Sequence, residues 1–102
     1  MQQETRQPPA DAASWAFLTN HAHVLLAISR DQDVRQTEIA NVIGITVGAV
    51  QRIVNELESA GYLSAERRGR RNHYTINGKQ RLQHPLEKAR TVQELIDSIE
   101  NP

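Results

Sequence analysis

The chain has 102 residues, a length that suits one domain, and its 12 basic side chains balance 12 acidic ones. The absence of cysteine excludes disulfides and thiolate metal sites, and no apolar stretch is long enough to cross a membrane. The polar N-terminus lacks the apolar core of a signal peptide, so we expect a cytoplasmic protein.

The first part of the chain is predicted to hold a tail and one main helix. Residues 1–10 are polar and include a proline pair, which predicts a disordered tail. Asp11 can cap a short first helical stretch that contains Trp15, Phe17 and Leu18. Asn20 is a candidate cap for the main helix, predicted over residues 21–30 from the helical spacing of Val24, Leu25 and Ile28.

Two further helices joined by a tight turn follow. Residues 36–43 have the pattern of a second helix, although Arg35 stands where a capping serine or threonine is preferred. Gly44 suits the left-handed position that ends a helix, and Thr46 can cap the next one. The third helix is predicted over residues 47–60 and ends at Gly61.

The third helix has the two faces of a recognition helix. Its apolar stripe consists of Val50, Ile53, Val54 and Leu57. Its opposite side carries small or polar residues, namely Gly48, Gln51, Arg52, Asn55 and Ser59. Small side chains let a helix approach base edges, where glutamine and asparagine pair with adenine and arginine with guanine. The alternative is an ordinary amphipathic helix with a solvated polar face.

An arginine-rich hairpin is predicted next. Residues 62–66 and 72–76 have strand patterns, and the loop 67–71 between them has four arginines around Gly69. Residues 62–81 carry six basic side chains and one acidic one, so the basic charge is local. Guanidinium groups on this loop can bind phosphates or enter a narrow minor groove. The alternatives are a solvated basic hairpin and a site for an acidic protein.

The last helix is predicted to follow Thr91, which forms a capping box with Glu94. Its apolar stripe consists of Val92, Leu95, Ile96 and Ile99. With Trp15 and Leu18, this stripe predicts a homodimer interface, because a small domain often buries its terminal helices against a second copy. The same residues can instead form simple core.

No pattern indicates an enzyme, a cofactor or a metal site. The chain has no phosphate-cradling glycine loop and no serine in a nucleophile-elbow context. His21 and His23 are two residues apart, so on a helix they point about 200° from each other. We therefore favour capping, interfacial packing or surface exposure as the role of these two histidines and of His73 and His84.

Three runs together resemble prokaryotic winged helix-turn-helix regulators of the MarR/ArsR type. They are residues 37–46 (TEIANVIGIT), 50–63 (VQRIVNELESAGYL) and 66–74 (ERRGRRNHY). Residues 15–26 (WAFLTNHAHVLL) are similar to a small-protein subgroup, and the resemblance covers about residues 14–100.

The resemblance implies a mainly α fold with a small β-hairpin: a three-helix core and a two-stranded wing over residues 11–81, then a C-terminal dimerisation helix over 82–102. It implies a homodimeric regulator of transcription that binds double-stranded DNA. Its DNA contacts fall on Thr46, Val47, Gly48, Gln51, Arg52 and Asn55 of the recognition helix and on Arg68, Arg70 and Arg71 of the wing.

Two departures from the family pattern bear on function. Val47 and Gly48 stand where family members often carry polar or charged residues, which predicts modest base specificity. The chain also lacks the long terminal helices that build the ligand pocket of full-length MarR proteins and the cysteine metal sites of many ArsR proteins. A winged-helix module that binds protein, and a sensor of a small molecule or metal, are the alternative functions.

Overall fold

From the main first helix onward, the order of helices and strands follows the predicted one. The computed structural model describes residues 15–101. In that range the elements are α1 (Asn20–Arg30), α2 (Gln36–Ile43), α3 (Val47–Ser59), β1 (Leu63–Arg68), β2 (Arg71–Ile76) and α4 (Val92–Glu100). The two strands form one antiparallel sheet. Three helices, a two-stranded hairpin and a final helix make a winged helix-turn-helix, so the predicted fold is confirmed.

The core forms where the apolar stripes of the helices meet. The predicted stripe of α3 is buried along its whole length, and it packs with buried residues of the other elements, among them Val24, Ile28, Ile39, Tyr74 and Val92. Full burial of one such aliphatic side chain stabilises the fold by roughly 1.5–3 kcal/mol. Because one stripe of α3 is covered completely, its opposite face is left to solvent.

The turn between α2 and α3 has the predicted chemistry. Gly44 has a left-handed φ of 86°, and its N–H donates to the Ala40 carbonyl at 2.8 Å. Thr46 Oγ1 accepts from the Ala49 N–H at 3.0 Å, which caps α3. Arg35 has no side-chain acceptor to cap α2, and Glu38 compensates by accepting from the Arg35 N–H at 2.9 Å.

The hairpin is longer and its loop shorter than predicted. The strands pair from Leu63 with Ile76 to Arg68 with Arg71, which leaves only Gly69 and Arg70 in the turn. Gly69 has a φ of 63°, and a positive φ at the first turn residue suits a two-residue hairpin turn whose twist matches the strands. The pairing therefore continues to the tip, and the predicted loop over residues 67–71 is wrong in extent.

The N-terminal prediction is also corrected. Residues 15–19 form no helix, and α1 begins at Asn20, so this residue lies inside the helix instead of capping it. The first turn closes where the His23 N–H donates to the Thr19 carbonyl at 3.1 Å. Trp15 and Phe17 stack edge to face, with ring centroids 4.9 Å apart, and both are exposed. The predicted tail 1–10 and the predicted cap Asp11 lie outside the described residues.

The C-terminal segment returns to the helical core. Thr91 and Glu94 form the predicted capping box, in which each side chain accepts from the backbone N–H of the other residue. Val92 and Ile96 bury one side of α4, and Arg30 at the end of α1 donates to Glu100 at 2.8 Å. No helix in the described part of the chain has the length and hydropathy needed to cross a membrane.

Candidate nucleic-acid interface

The polar face of α3 is exposed to solvent. Val47, Gly48, Gln51, Arg52 and Asn55 are all exposed. A Cβ added at Gly48 would approach only Thr46 Oγ1, at 3.9 Å, so nothing in the described protein requires glycine there. Because Gly48 has no side chain, the backbone of α3 is uncovered at this position.

Two side chains on this face are bonded to each other. Gln51 Nε2 donates to Asn55 Oδ1 at 3.0 Å, one helical turn away. The bond uses one N–H of Gln51 and the oxygen of Asn55. It leaves the Gln51 oxygen and the Asn55 amino group as an adjacent acceptor and donor. An acceptor beside a donor is the pattern that pairs with the major-groove edge of adenine.

Arg52 lies in a charged cluster that sequence reasoning missed. Its Nη1 lies 3.3 and 3.4 Å from the two carboxylate oxygens of Glu56. His21 of α1 contacts the same carboxylate, with Nε2 at 2.7 Å from Oε1. This hydrogen bond from His21 is the main reason why the pKa of Glu56 lies below its ordinary value. The spacing of Arg52 and Glu56 was visible in the sequence, but the contact with His21 spans 35 residues.

The arginines of the wing are not equivalent. Arg68 donates twice to the Glu66 carboxylate, at 3.0 and 3.2 Å, and Arg67 donates to the Gly69 carbonyl at 3.0 Å. Arg71 donates one N–H to the Asp33 carbonyl at 3.2 Å. Within residues 15–101 no hydrogen bond or ion pair engages the side chain of Arg70, which lies in the turn. Arg70 is therefore the one arginine of the hairpin whose side chain has no hydrogen-bond partner among the described residues.

The base of the wing is attached to the loop between α1 and α2. His73 Nδ1 lies 2.8 Å from Asp33 Oδ1, and this bond is the main cause that holds the pKa of Asp33 below its ordinary value. The Tyr74 N–H donates to the Gln32 carbonyl at 2.9 Å, and Gln36 donates to the Tyr74 hydroxyl at 3.1 Å. These contacts fix how the wing stands on the helices. No local pattern predicts them, because the partners are about 40 residues apart.

Arg35 is a second residue that sequence reasoning missed. A cleft of about 360 Å³ separates the start of α2 from the wing, and Arg35, Arg70 and Arg71 all line it. Asp33 lines the same cleft and is held by His73. The sequence indicated only that Arg35 is a poor helix cap. The fold brings its charge beside the wing.

The predicted dimerisation residues are divided between core and surface. Val92 and Ile96 are buried in the core of the same chain, because their side of α4 faces α1. Trp15 is 64% exposed and Ile99 45% exposed. Leu18 and Leu95 are partly exposed and line a groove of about 580 Å³, together with Phe17 and residues of α1, α3 and the segment 82–87.

The histidines act as hydrogen-bonding groups in the described structure. His21 and His73 pair with carboxylates, His23 Nδ1 lies 3.1 Å from Asn20 Oδ1, and His84 Nδ1 accepts from the Leu86 N–H at 3.1 Å. Among residues 15–101, no group of three histidine, cysteine, aspartate or glutamate side chains could hold a metal ion.

One comparison with known proteins identifies the family. The MarR family model matches residues 17–71, which run from the segment before α1 to the first residue of β2 and make up more than half of the chain. No curated protein and no solved structure matches the chain. The MarR match agrees with the helix-turn-helix and the hairpin of the fold, and the chain belongs to the MarR family of DNA-binding transcriptional regulators.

Proposed function

We propose that the protein regulates transcription as a homodimer that binds double-stranded DNA, with α3 in the major groove and the wing on the backbone or in the minor groove. The observation that carries this proposal is that α3 has one buried face and one exposed face. Its apolar stripe is buried completely, and the opposite face presents Gly48, Gln51 and Asn55 to solvent. A helix docked in this way on its own domain is what the major groove admits.

The exposed face of α3 supplies the proposed base contacts. Gln51 and Asn55 offer an acceptor and a donor for adenine, Arg52 suits guanine, and Val47 suits the methyl group of thymine. Thr46 caps the end of the helix that would enter the groove. Because Gly48 has no side chain, few groups reach the bases, and we expect modest base specificity.

The wing and the start of α2 supply the proposed phosphate contacts. Arg70 and Arg71 border the cleft between these two elements, and Arg35 stands on its other side. Arg68 is a weaker candidate, because it must first leave Glu66. Phosphate contacts fix position and register but do not read sequence.

A homodimer is proposed from the apolar residues that the described chain leaves at its surface. Leu95 and Ile99 lie one turn apart on α4, Leu18 and Phe17 border the same groove as Leu95, and Trp15 stacks on Phe17. Val92 and Ile96 would contribute by holding α4 in place from within. Two-fold symmetry would give a nearly palindromic site with half-sites about 34 Å apart. The proposed site of action is the cytoplasm, where the DNA of a prokaryotic cell lies.

Selection of bound duplexes from a random library tests the DNA contacts. We expect recovered sites to have two-fold symmetry with half-sites about one helical turn apart. Gln51→Ala/Asn55→Ala should weaken the selection while keeping most of the salt-dependent affinity, because the wing is intact. Ser59→Ala, on the same face near the end of α3, is the control and should select the wild-type sites. A failure of the wild type to retain any duplex rejects the proposal.

Sedimentation equilibrium tests the homodimer. Ile99→Asp should dissociate the dimer, because it places a charge in the proposed interface. Val42→Asp is the matched control: Val42 is an apolar residue of α2, 80% exposed and outside that interface. A wild-type protein that stays monomeric at high concentration, or equal effects of both substitutions, contradicts the proposed interface.

A second function, binding of a partner protein through the same face, is favoured by one observation. The helix-turn-helix exposes two large apolar side chains, Val42 at 80% and Val47 at 44%. Salt-insensitive capture of a protein by wild type, in the absence of duplex binding, would support this second function.

A further inference from the structure

Three side chains connect α1 to the DNA-facing side of α3. Glu56 shares its carboxylate between His21, at 2.7 Å, and Arg52, at 3.3 and 3.4 Å. The contact with His21 is short and the contacts with Arg52 are long, so Glu56 is held mainly by His21. All three side chains are partly exposed, so each can exchange partners.

We propose that Glu56 is a positioning residue that holds Arg52 away from DNA, and that protonation of His21 releases Arg52. This inference rests on the proposed function, because Arg52 is a DNA contact only there. Glu56 lies one turn C-terminal to Arg52, whereas a recognition helix contacts bases mainly from its N-terminal residues. The bond to Glu56 therefore turns the guanidinium away from the end of α3 that would enter the groove.

The charge of His21 decides how strongly Glu56 attracts Arg52. A neutral imidazole donates one hydrogen bond and leaves the carboxylate charge uncompensated, so Arg52 is attracted to it. An imidazolium cancels that charge, which weakens the pull on Arg52. Histidine titrates between about pH 5 and pH 8, so DNA affinity should rise as the pH falls through this range.

Other titratable groups face the same region. His84 and Glu87, from the segment between β2 and α4, line the groove that His21 and Glu56 also line, and α4 presents the apolar Leu95 there. His23, on α1, is bonded to Asn20. His73 belongs to a separate pair with Asp33 in the wing. The contribution of His21 therefore has to be measured as a difference between variants.

A double-mutant cycle with duplex DNA tests the action through Arg52. We expect Glu56→Gln to tighten binding about two- to threefold in the wild-type background, since an exposed ion pair at this helical spacing is weak. The effect should vanish in an Arg52→Ala background. Glu58→Gln, on the same helix and exposed, is the matched control for lost negative charge. Equal tightening by Glu56→Gln in both backgrounds means direct repulsion of phosphate and overturns the positioning role.

The pH profile tests the action of His21. Between about pH 8 and pH 5.5 the wild type should gain more affinity than His21→Ala. That difference should be absent in the Glu56→Gln background and preserved in His73→Ala. A pH profile of His21→Ala identical to that of the wild type overturns the role of His21.

NMR of the free protein separates this inference from the proposed function. In the wild type the Arg52 Nε–H signal should shift with pH across the range in which histidine titrates, and His21→Ala should abolish this shift. His21→Ala should also raise the pKa of Glu56 toward its ordinary value, because its main hydrogen bond is lost. If the Arg52 signal depends on His21 but no duplex binds, the proposed function is rejected and the link between His21, Glu56 and Arg52 stands. Duplex binding with an Arg52 signal that ignores His21 rejects the link and keeps the function.

Discussion

Substitution of Arg70 and Arg71 by alanine tests the wing most directly. Arg70 lies in the hairpin turn, and its side chain makes no bond within the described residues. Arg71 donates one N–H to the Asp33 carbonyl, which leaves four of its five N–H donors for other partners. Both guanidiniums can therefore bind phosphate without breaking the fold.

The expected size of the effect follows from counterion release. Affinity falls with salt, and each phosphate contact steepens the plot of log affinity against log salt by about 0.9. The slope should therefore be shallower by about 0.9 in Arg70→Ala and by about 1.8 in the double variant. If these contacts contribute nothing at 1 M salt, the double variant loses roughly 60-fold in affinity at about 0.1 M. Arg68→Ala should have a smaller effect, because Arg68 must first leave Glu66.

Fluorescence anisotropy with a duplex of about 30 base pairs, titrated from about 50 to about 300 mM salt, measures these slopes. Lys79→Ala/Lys88→Ala is the control, because it removes the same charge from two exposed positions outside the proposed interface. Thermal unfolding checks that Arg71→Ala has lost no more than one hydrogen bond, about 1 kcal/mol. An equal slope change in the lysine control, or no change in the arginine variants, refutes the proposed role of the wing.

Four further predictions concern stability, duplex binding and assembly. Gly44→Ala should lower the free energy of unfolding in urea by about 1–2 kcal/mol, because Gly44 has a left-handed φ. Gly48→Ala should raise it by up to about 1 kcal/mol, because Gly48 is helical, and should weaken duplex binding by crowding the groove. Ile96→Ala should cost about 2–5 kcal/mol at any protein concentration, whereas Ile99→Ala should mainly weaken dimerisation in sedimentation. The pKa of Asp33 is lowered in the folded protein, so its carboxylate stabilises the fold at pH values above 3.8, the ordinary pKa of the group. The stability difference between wild type and Asp33→Asn in urea should therefore be complete near neutral pH and disappear as the pH falls through the folded pKa. A difference that does not change down to the most acid pH contradicts the Asp33–His73 contact.

Local chemistry made much of the fold predictable. The end of α2 at Gly44, the cap of α3 at Thr46 and the capping box at Thr91 each depend on residues within one helical turn. The apolar stripe of α3 likewise repeats at the helical period, and all of it is buried. The same helical period predicted that Gly48, Gln51, Arg52 and Asn55 lie on the opposite face, and all four are exposed.

The limits of the hairpin were less predictable. Gly69 predicted a sharp turn, and the four arginines around it were assigned to the loop. Like charges on paired strands repel each other. In the structure three of these arginines donate hydrogen bonds: Arg68 to the Glu66 carboxylate, Arg67 to the Gly69 carbonyl and Arg71 to the Asp33 carbonyl. The strands can therefore pair up to a two-residue turn.

The sequence by itself determined where α2 ends, where α3 and α4 are capped and which side of α3 is apolar, because those features depend on neighbours in the chain. Only the tertiary structure decided which partners meet across the chain. It turned Val92 and Ile96 inward while leaving Ile99 exposed, and it paired His21 with Glu56 and His73 with Asp33. An apolar stripe indicates that a face is covered but not by what, and a charged residue does not indicate its distant partner. Such pairings depend on how the helices pack, and packing is set by the whole chain.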